Sequence, residues 1–268
     1  MKIVVLISCM HEKDHSILDK TQIDSDAIVI NQCDTDLVQN LEYVTKSGKK
    51  HRVLYVNTTS RGLSKSRNLA LSYAREYDVA LVCDDDERLS SNYSETIQEV
   101  YKNHPNTDVI AFAIDCDQYT RVYSNHEFNL GFKEILKTSS QQISFKPLTI
   151  HAHNIVFDEK MGSGTGNGAG EETKFLLTCR EKGLKMIYNP FVVAKIVKGE
   201  SQWFSGYTPK FFIDQGWTDR RLLGPILGFI YMIYWTIFKQ NVYKKDGLGV
   251  YSALKYSLKG FLLKDRLT

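Results

Sequence analysis

Four consecutive carboxylates, Asp84, Asp85, Asp86 and Glu87, follow directly on the apolar run VALVC. Such a run, ending where a sheet meets solvent, would crowd like charges together, an arrangement that is costly unless a cation answers it. Carboxylate oxygens suit Mg²⁺ and Mn²⁺, and a D-x-D spacing on a turn lets one carboxylate hold metal while another holds a nearby hydroxyl. A solvated acidic turn before a helix is the plainer reading, and the strand immediately upstream favours the metal site. A second constellation is MGSGTGNGAGEETKF, residues 161–175. It lacks the G-K-[ST] ending of a phosphate-binding loop and does not follow the first strand as a dinucleotide fingerprint would. Its glycines lead instead to Glu171 and Glu172 at a helix start, where a positioned carboxylate could accept the proton of a hydroxyl nucleophile. Two glutamates in a first turn also simply stabilise the helix dipole. The pair gains chemical meaning only beside the acidic cluster.

The elements that must position these groups follow from periodicity. KIVVLIS, DAIVINQ, HRVLYVN, DVALVC and DVIAFAI are short β-rich runs bounded by polar turns, and read as strands. Because the runs are continuous rather than alternating, they predict a mostly parallel sheet with helices on both faces, an α/β fold. Ligands in such sheets bind beyond the carboxyl ends of the strands. Leu37, Leu41 and Val44, with Gly48 after them, have helical spacing and a stop signal. Ser64 reads as the N-cap of SRNLALSYAREY, with Leu69, Tyr73 and Tyr77 on one face. QYTRVYS and ISFKPLTIHAHNIVF read as strands, the second carrying His151 and His153 on one face, so that His153 is a candidate acceptor or metal contact beside its structural reading. A helix over about 171–182 and strands in KMIYNPFVVAKIV complete this part.

The last seventy residues differ. LLGPILGFIYMIYWTIF, from Leu222 to Phe238, carries no charge and is flanked by Arg220, Arg221 and Lys239. Its seventeen residues would reach about 25 Å as a helix, short of a hydrocarbon core of about 30 Å. Pro225, Gly224, Gly228 and the aromatics Tyr231, Tyr234 and Trp235 suit an interfacial segment better than a crossing one. Downstream, Tyr251, Leu254, Leu258 and Leu262 form an apolar stripe beside Lys255 and Lys259. A buried core helix with a solvated helix on it is the alternative, and the charge-free run with cationic flanks favours the membrane. From residue 239 onward there are seven Lys or Arg against two Asp, whereas the whole chain has a net charge of only +3, too little to point to nucleic acid. Five scattered cysteines without a C-x-x-C pair argue against a zinc site and fit a reducing, cytoplasmic compartment, and the amino terminus has no signal-peptide core.

With these residues in hand, the chain resembles family 2 glycosyltransferases of the GT-A fold, of the kind that build bacterial surface polysaccharides. The likeness rests on the opening strand, on RGLSKSRNLAL (Arg61 to Leu71), on the strand-terminal DDD, and on GAGEETKF, which looks like a G-E-D-T-x-F signature with Glu172 in place of Asp. It implies a GT-A catalytic domain over 1–200, with a donor half 1–115 and an acceptor half 116–200, followed by a helical, membrane-interfacial extension over 201–268. It also implies donor contacts for Ser8, Asn31, Gln32, Arg61, Arg67, Asp84 and Asp85, with Asp84 on the ribose. Asp86 would hold Mn²⁺ or Mg²⁺, Glu172 would be the catalytic base, Glu171 would help orient the acceptor, and Asn68 would hold local backbone. Where many relatives carry a further metal-binding His, NPFVVAKIVKGE offers Lys195 and Lys198, which leaves Asp86 and the donor phosphates to hold the ion.

The resemblance implies inverting transfer from a nucleotide sugar, a UDP-sugar foremost, to a saccharide or lipid-linked acceptor at the cytoplasmic face of a membrane. A nucleotidyltransferase is one alternative, although LISCMHEKDHS has no glycine-rich triphosphate signature. A non-catalytic nucleotide-sugar-binding scaffold is another; retention of both acidic groups disfavours it.

Overall fold

The computed structural model describes residues 1–116, 123–197 and 206–263. The chain divides into two units, Met1–Phe157 with Phe175–Gly199, and Asp158–Lys174 with Glu200–Thr268.

The first unit is built on a sheet of β1 (Ile3–Met10), β2 (Asp26–Gln32), β3 (Leu37–Val44), β4 (Lys50–Thr58), β5 (Val79–Asp84), β6 (Glu87–Leu89), β7 (Val109–Cys116), β8 (Phe128–Asn129), β9 (Ile143–Phe145) and β10 (Met186–Ile196). The order is β3-β4-β2-β1-β5-β9-β7-β10-β6, with β8 beside β10. Its helices are α1 (Ile17–Lys20), α2 (Leu63–Tyr73), α3 (Tyr93–Asn103), α4 (Phe132–Ile135), α5 (Pro147–Ala152) and most of α6 (Glu171–Glu181), whose first turn belongs to the residues of the second unit. The five strands expected from continuous apolar runs are β1, β2, β4, β5 and β7. β1, β2, β5 and β7 are buried along nearly their whole length, because both faces of the sheet are covered.

Four expectations are corrected. The sheet is mixed rather than mostly parallel: β4-β2-β1-β5 run parallel, but β9 lies antiparallel between β5 and β7, and β3, β6 and β8 are also antiparallel to their neighbours. Burial of β9 is as complete as that of its neighbours, so the apolar pattern carries no sign of direction. The segment around Leu37, Leu41 and Val44 is the edge strand β3, paired antiparallel with β4, rather than a helix. Leu37, Val38 and Val44 are all exposed; the turn after them closes through Thr45 N–H to Lys49 O at 2.9 Å, and Glu42 pairs with Lys50 at 2.8 Å. The glycine that resembled a helix stop is the glycine of a hairpin turn. In ISFKPLTIHAHNIVF only β9 is strand. Pro147 stands in the first turn of α5, a place where its missing N–H costs nothing. The helix of SRNLALSYAREY is capped by Gly62 rather than Ser64, with φ of 121°, and its buried face is Ser64, Ser66, Arg67, Ala70 and Leu71; of the expected face Leu69 is half-buried, Tyr73 is exposed, and Tyr77 is buried but lies beyond the helix. QYTRVYS falls mostly outside the described residues, as does Lys198.

The second unit contains α7 (Pro209–Phe238), α8 (Gln240–Tyr243) and α9 (Val250–Leu262). Thr208 caps α7 by accepting Phe211 N–H. At Gly224 the backbone leaves helical geometry, with φ of 76° and ψ of −178°, a conformation open to glycine but strained for other residues. The helix turns sharply there: Gly228 lies so close to Asp219 O and Arg220 Cα that no side chain would fit. α9 packs on the first half of α7 through small residues, and a Cβ on Gly216 or Gly260 would overlap Ser257 O or Ile213 O respectively. Phe212, Tyr243 and Ala253 form a small core, with Phe211, Trp235 and Tyr207 around it.

Candidate active site

The acidic cluster sits where the parallel strands end. Asp84 is the last residue of β5, registered against Ser8 on β1, and the chain turns through Asp85 and Asp86 into β6. Two bonds hold the turn. Glu87 accepts Asp84 N–H on Oε1 at 2.7 Å, and Asp86 O accepts Val197 N–H at 2.8 Å, where β6 pairs with β10. Glu87 is buried; burial first, and the Asp84 charge second, push its carboxyl well above the ordinary glutamate range. Of the four carboxylates it is therefore the one that builds the turn, a role that sequence position among four acids does not reveal.

The three aspartates are in unlike surroundings. Asp84 accepts Arg67 Nη2–H on Oδ1 at 2.8 Å and Ser140 Oγ–H on Oδ2 at 3.2 Å. Arg67 comes from the buried face of α2 and lies over the Phe157 ring. Among the described residues no cation pairs with Asp85 or Asp86. Burial, and then the charges of Asp84 and Asp85, raise Asp86 to about 6; burial and Asp84 raise Asp85. A carboxylate whose charged form is opposed by burial and by like charges is one that a bound cation would favour. No group of three or more His, Cys, Asp or Glu arranged to hold a metal exists among the described residues. The donor set fits a divalent ion only if a diphosphate and water supply the remaining oxygens.

The other residues proposed from the sequence line the same strand ends. Ser8 Oγ lies 2.8 Å from Ser66 Oγ. Asn31 accepts Glu12 N–H at 3.0 Å and donates to Glu12 O and to Asn57 Oδ1, both at 2.9 Å. Gln32 Oε1 accepts Gly62 N–H at 2.7 Å, which fixes the start of α2. Arg61 donates to Cys33 O, Thr58 O and Asp34. These side chains shape the loops that leave β1, β2 and β4. Asn68 exchanges two hydrogen bonds with the backbone of Phe157, at 2.8 and 2.9 Å, so the backbone it holds is distant in the chain rather than local. Ser140, Glu12 and Asn57 escaped the sequence reading because nothing local marks them; each enters through a partner at least nineteen positions away.

His151 and His153 do not share a strand. His151 Nε2 lies 2.9 Å from Leu71 O, while His153 is the half-buried C-cap of α5. The expected alternation fails because Pro147 starts a helix there.

In the second unit the two glutamates separate. Glu171 is buried, with Oε2 accepting Gly170 N–H at 3.2 Å and packed so close to Gly162 that a Cβ there would lie 2.9 Å from it. Glu172 is only half-buried. Glu171 is thus committed to the glycine loop, and Glu172 is the carboxylate with solvent access.

Residues 12–160 match the sequence profile of the family described as Glycosyl transferase family 2. No curated protein matches. Among solved structures, S. aureus TarS residues 1–349 in complex with UDP-GlcNAc has a TM-score of 0.61 at 16% identity, covering 97% of this chain and 89% of that one. A second structure of S. aureus TarS residues 1–349 has a TM-score of 0.59 at 15% identity, covering 97% and 88%. In a further S. aureus TarS structure the match has a TM-score of 0.56 at 15% identity and covers 82% of this chain but 39% of that one. At these identities the likeness is one of fold.

Proposed function

This chain belongs to glycosyl transferase family 2, inverting enzymes that use nucleotide-sugar donors, and we propose that its donor is a UDP-sugar, bound at the carboxyl ends of β1, β2, β4 and β5. The observation that carries this reading is the rigid turn after β5, where Asp84 is neutralised and Asp85 and Asp86 are not. Similarity in fold to a protein solved with UDP-GlcNAc supports the choice of nucleotide.

The reaction is a single displacement at the anomeric carbon. Asp84, pinned by Arg67 and Ser140, would hold the ribose, and Asp86 would hold the cation. When bound, Mn²⁺ or Mg²⁺ supplies the positive charge that stabilises the departing nucleoside diphosphate. Glu172 accepts the acceptor hydroxyl proton as the new bond forms and the bond to phosphate oxygen breaks, which inverts the configuration. Glu171 keeps the loop before Glu172 in place. The acceptor is a hydroxyl of a saccharide or lipid-linked saccharide in surface-polysaccharide synthesis.

The second unit suits the surface of a membrane. Once broken at Gly224, α7 offers 225–238 as its apolar piece, about 21 Å long and too short for a core of about 30 Å. Ile226, Leu227, Ile230 and Phe238 on it are exposed, as are Tyr251 and Leu262 on α9. The apolar stripe of α9 faces outward while Ala253, Ser257 and Gly260 face α7, the reverse of a water-soluble pair. Exposed Lys239, Lys244, Lys245, Lys255 and Lys259 beside this surface match anionic headgroups. The segment lies in the interface of the cytoplasmic leaflet.

The test is release of nucleoside diphosphate from a panel of UDP- and other nucleotide-sugars with Mn²⁺ and with Mg²⁺. Slow hydrolysis of one donor, reduced at least a hundredfold by Asp86→Asn, is expected. No hydrolysis of any donor, with or without membrane extract as acceptor, would make the chain a binding scaffold instead.

A further inference from the structure

Within the second unit, the glycine-rich loop and the first half of α7 enclose a cavity of about 370 Å³, within the span of roughly 300–1,000 Å³ typical of small-molecule sites. Its walls mix polar side chains with the Phe211 ring and glycine backbone. Asn167 from the loop faces Thr208, Lys210, Asp214, Gln215 and Thr218 of the helix and its cap.

The cavity is preformed. Gly162 N–H bonds Gly168 O at 3.1 Å, Thr165 Oγ donates to Gly162 O at 2.7 Å, Asn167 Nδ2 donates to Lys160 O at 2.9 Å, and Lys210 Nζ donates to Gly166 O at 3.2 Å. Gly168 rests directly on α7, where a Cβ would strike Thr218 Oγ1 and lie 3.2 Å from Asp214 O. Glycine along the loop thus leaves open a space that side chains would fill.

Charge selects the occupant. Lys210 and Asp214 form an ion pair at 2.6 Å, so the wall is locally neutral. A phosphate would meet the Asp214 carboxylate beside the only ammonium among the described lining residues. An apolar ligand would take water from the Lys210–Asp214 pair without replacing its hydrogen bonds. Carboxylate, ammonium, two amides and three hydroxyls, beside the Phe211 ring, suit a neutral group rich in hydroxyls. The same loop delivers the base: Ala169, in the cavity wall, is three residues from Glu172, at most about 11 Å between Cα atoms.

We propose that this cavity is a saccharide subsite, which holds a neutral sugar of the acceptor through Asp214, Lys210, Asn167 and Gln215 while Glu172 receives the proton of the reacting hydroxyl. The inference rests on the glycosyltransferase reading for its acceptor role, whereas binding of a sugar here can be measured without turnover.

The experiment is saturation-transfer NMR on the full chain with the methyl glycosides of glucose, galactose, mannose and N-acetylglucosamine, each titrated alone and then with inorganic phosphate. At least one glycoside should bind, with its Kd raised tenfold or more in Asp214→Asn and also in Lys210→Met, and phosphate should not displace it. Two variants guard against loss of fold in either one, and a far-UV CD spectrum identifies the folded ones. Absence of binding by all four glycosides, equal binding by folded variants, or displacement by phosphate would overturn the subsite. Donor hydrolysis by the wild-type chain is read separately: its absence removes the enzymatic reading, while glycoside binding still reports on the cavity.

Discussion

Replacing Arg67 with methionine keeps the length of the side chain but removes its charge from a place where water cannot substitute for it. Arg67 is 2% exposed, and Nη2 lies 2.8 Å from Asp84 Oδ1. Two unit charges at that separation attract by about 6 kcal/mol at an effective dielectric near 20. Arginine also loses hydration on burial, which methionine does not, and removing one partner of a buried pair costs about 3–5 kcal/mol in practice. Asp84 keeps 19% of its side-chain surface, so water recovers part of its solvation and about 3 kcal/mol is expected. With a urea dependence of about 2 kcal/mol per molar, the midpoint should fall by about 1.5 M. The double variant Arg67→Met/Asp84→Asn should recover at least half of that loss, because no charge is then stranded, and the carboxamide that replaces the carboxylate can still accept from Ser140. Urea denaturation of the wild type, both single variants and the double variant, followed by far-UV CD, closes the cycle. A midpoint shift below about 0.3 M, or a coupling energy within about 0.5 kcal/mol of zero, would refute the idea that Arg67 neutralises Asp84. Donor hydrolysis should remain lost in the double variant, since a restored fold does not restore the carboxylate.

Glu172→Gln should abolish sugar transfer yet leave donor affinity within about threefold, measured by calorimetry; turnover near the wild-type rate would remove the proton-acceptor role. Asp219, 1% exposed on α7, accepts Gln215 Nε2–H on Oδ1 at 2.7 Å, and among the described residues its Oδ2 has no hydrogen-bond partner. Burial raises it to about 8 from an ordinary 3.8. The folded chain then binds one more proton than the unfolded chain between these values, so stability should fall by about 1.4 kcal/mol per pH unit as pH rises from near 4 toward 8. Asp219→Asn should flatten that slope in tryptophan-detected urea unfolding, since all three tryptophans lie after residue 200; an unchanged slope would mean that Asp219 is ionised in the folded chain. Ile226→Asp/Ile230→Asp should lower co-sedimentation with phosphatidylcholine–phosphatidylglycerol vesicles at least tenfold, given about 1.5–3 kcal/mol for each buried isoleucine. Equal sedimentation would place the membrane contact elsewhere.

The parts of the fold that were legible are those whose cause is local. β1, β2, β4, β5 and β7 announce themselves because strand-forming residues run on between polar turns, and the acidic cluster is visible because the strand ahead of it is. Leu37, Leu41 and Val44 of β3 fit a helical period as well as an edge strand, and only the pairing with β4 distinguishes the two. The position of β9 was hidden because three buried residues carry no direction. In α9 the stripe was visible, but not that small residues on the other face would take the packing contact and leave the stripe exposed.

Sequence by itself determined which chemical groups exist and their local setting: carboxylates after a buried strand, a glutamate pair after glycines, and a charge-free run broken by Gly224 and Pro225. Tertiary structure decided the partners and exposure of each group. Arg67 and Ser140 engage Asp84 from 17 and 56 positions away, Glu87 is turned inward to hold backbone, and Glu171 is buried where Glu172 is not. Periodicity records whether a residue is covered, whereas the charge state and freedom of a carboxylate depend on what covers it, and that partner is supplied by distant chain only once the fold has formed.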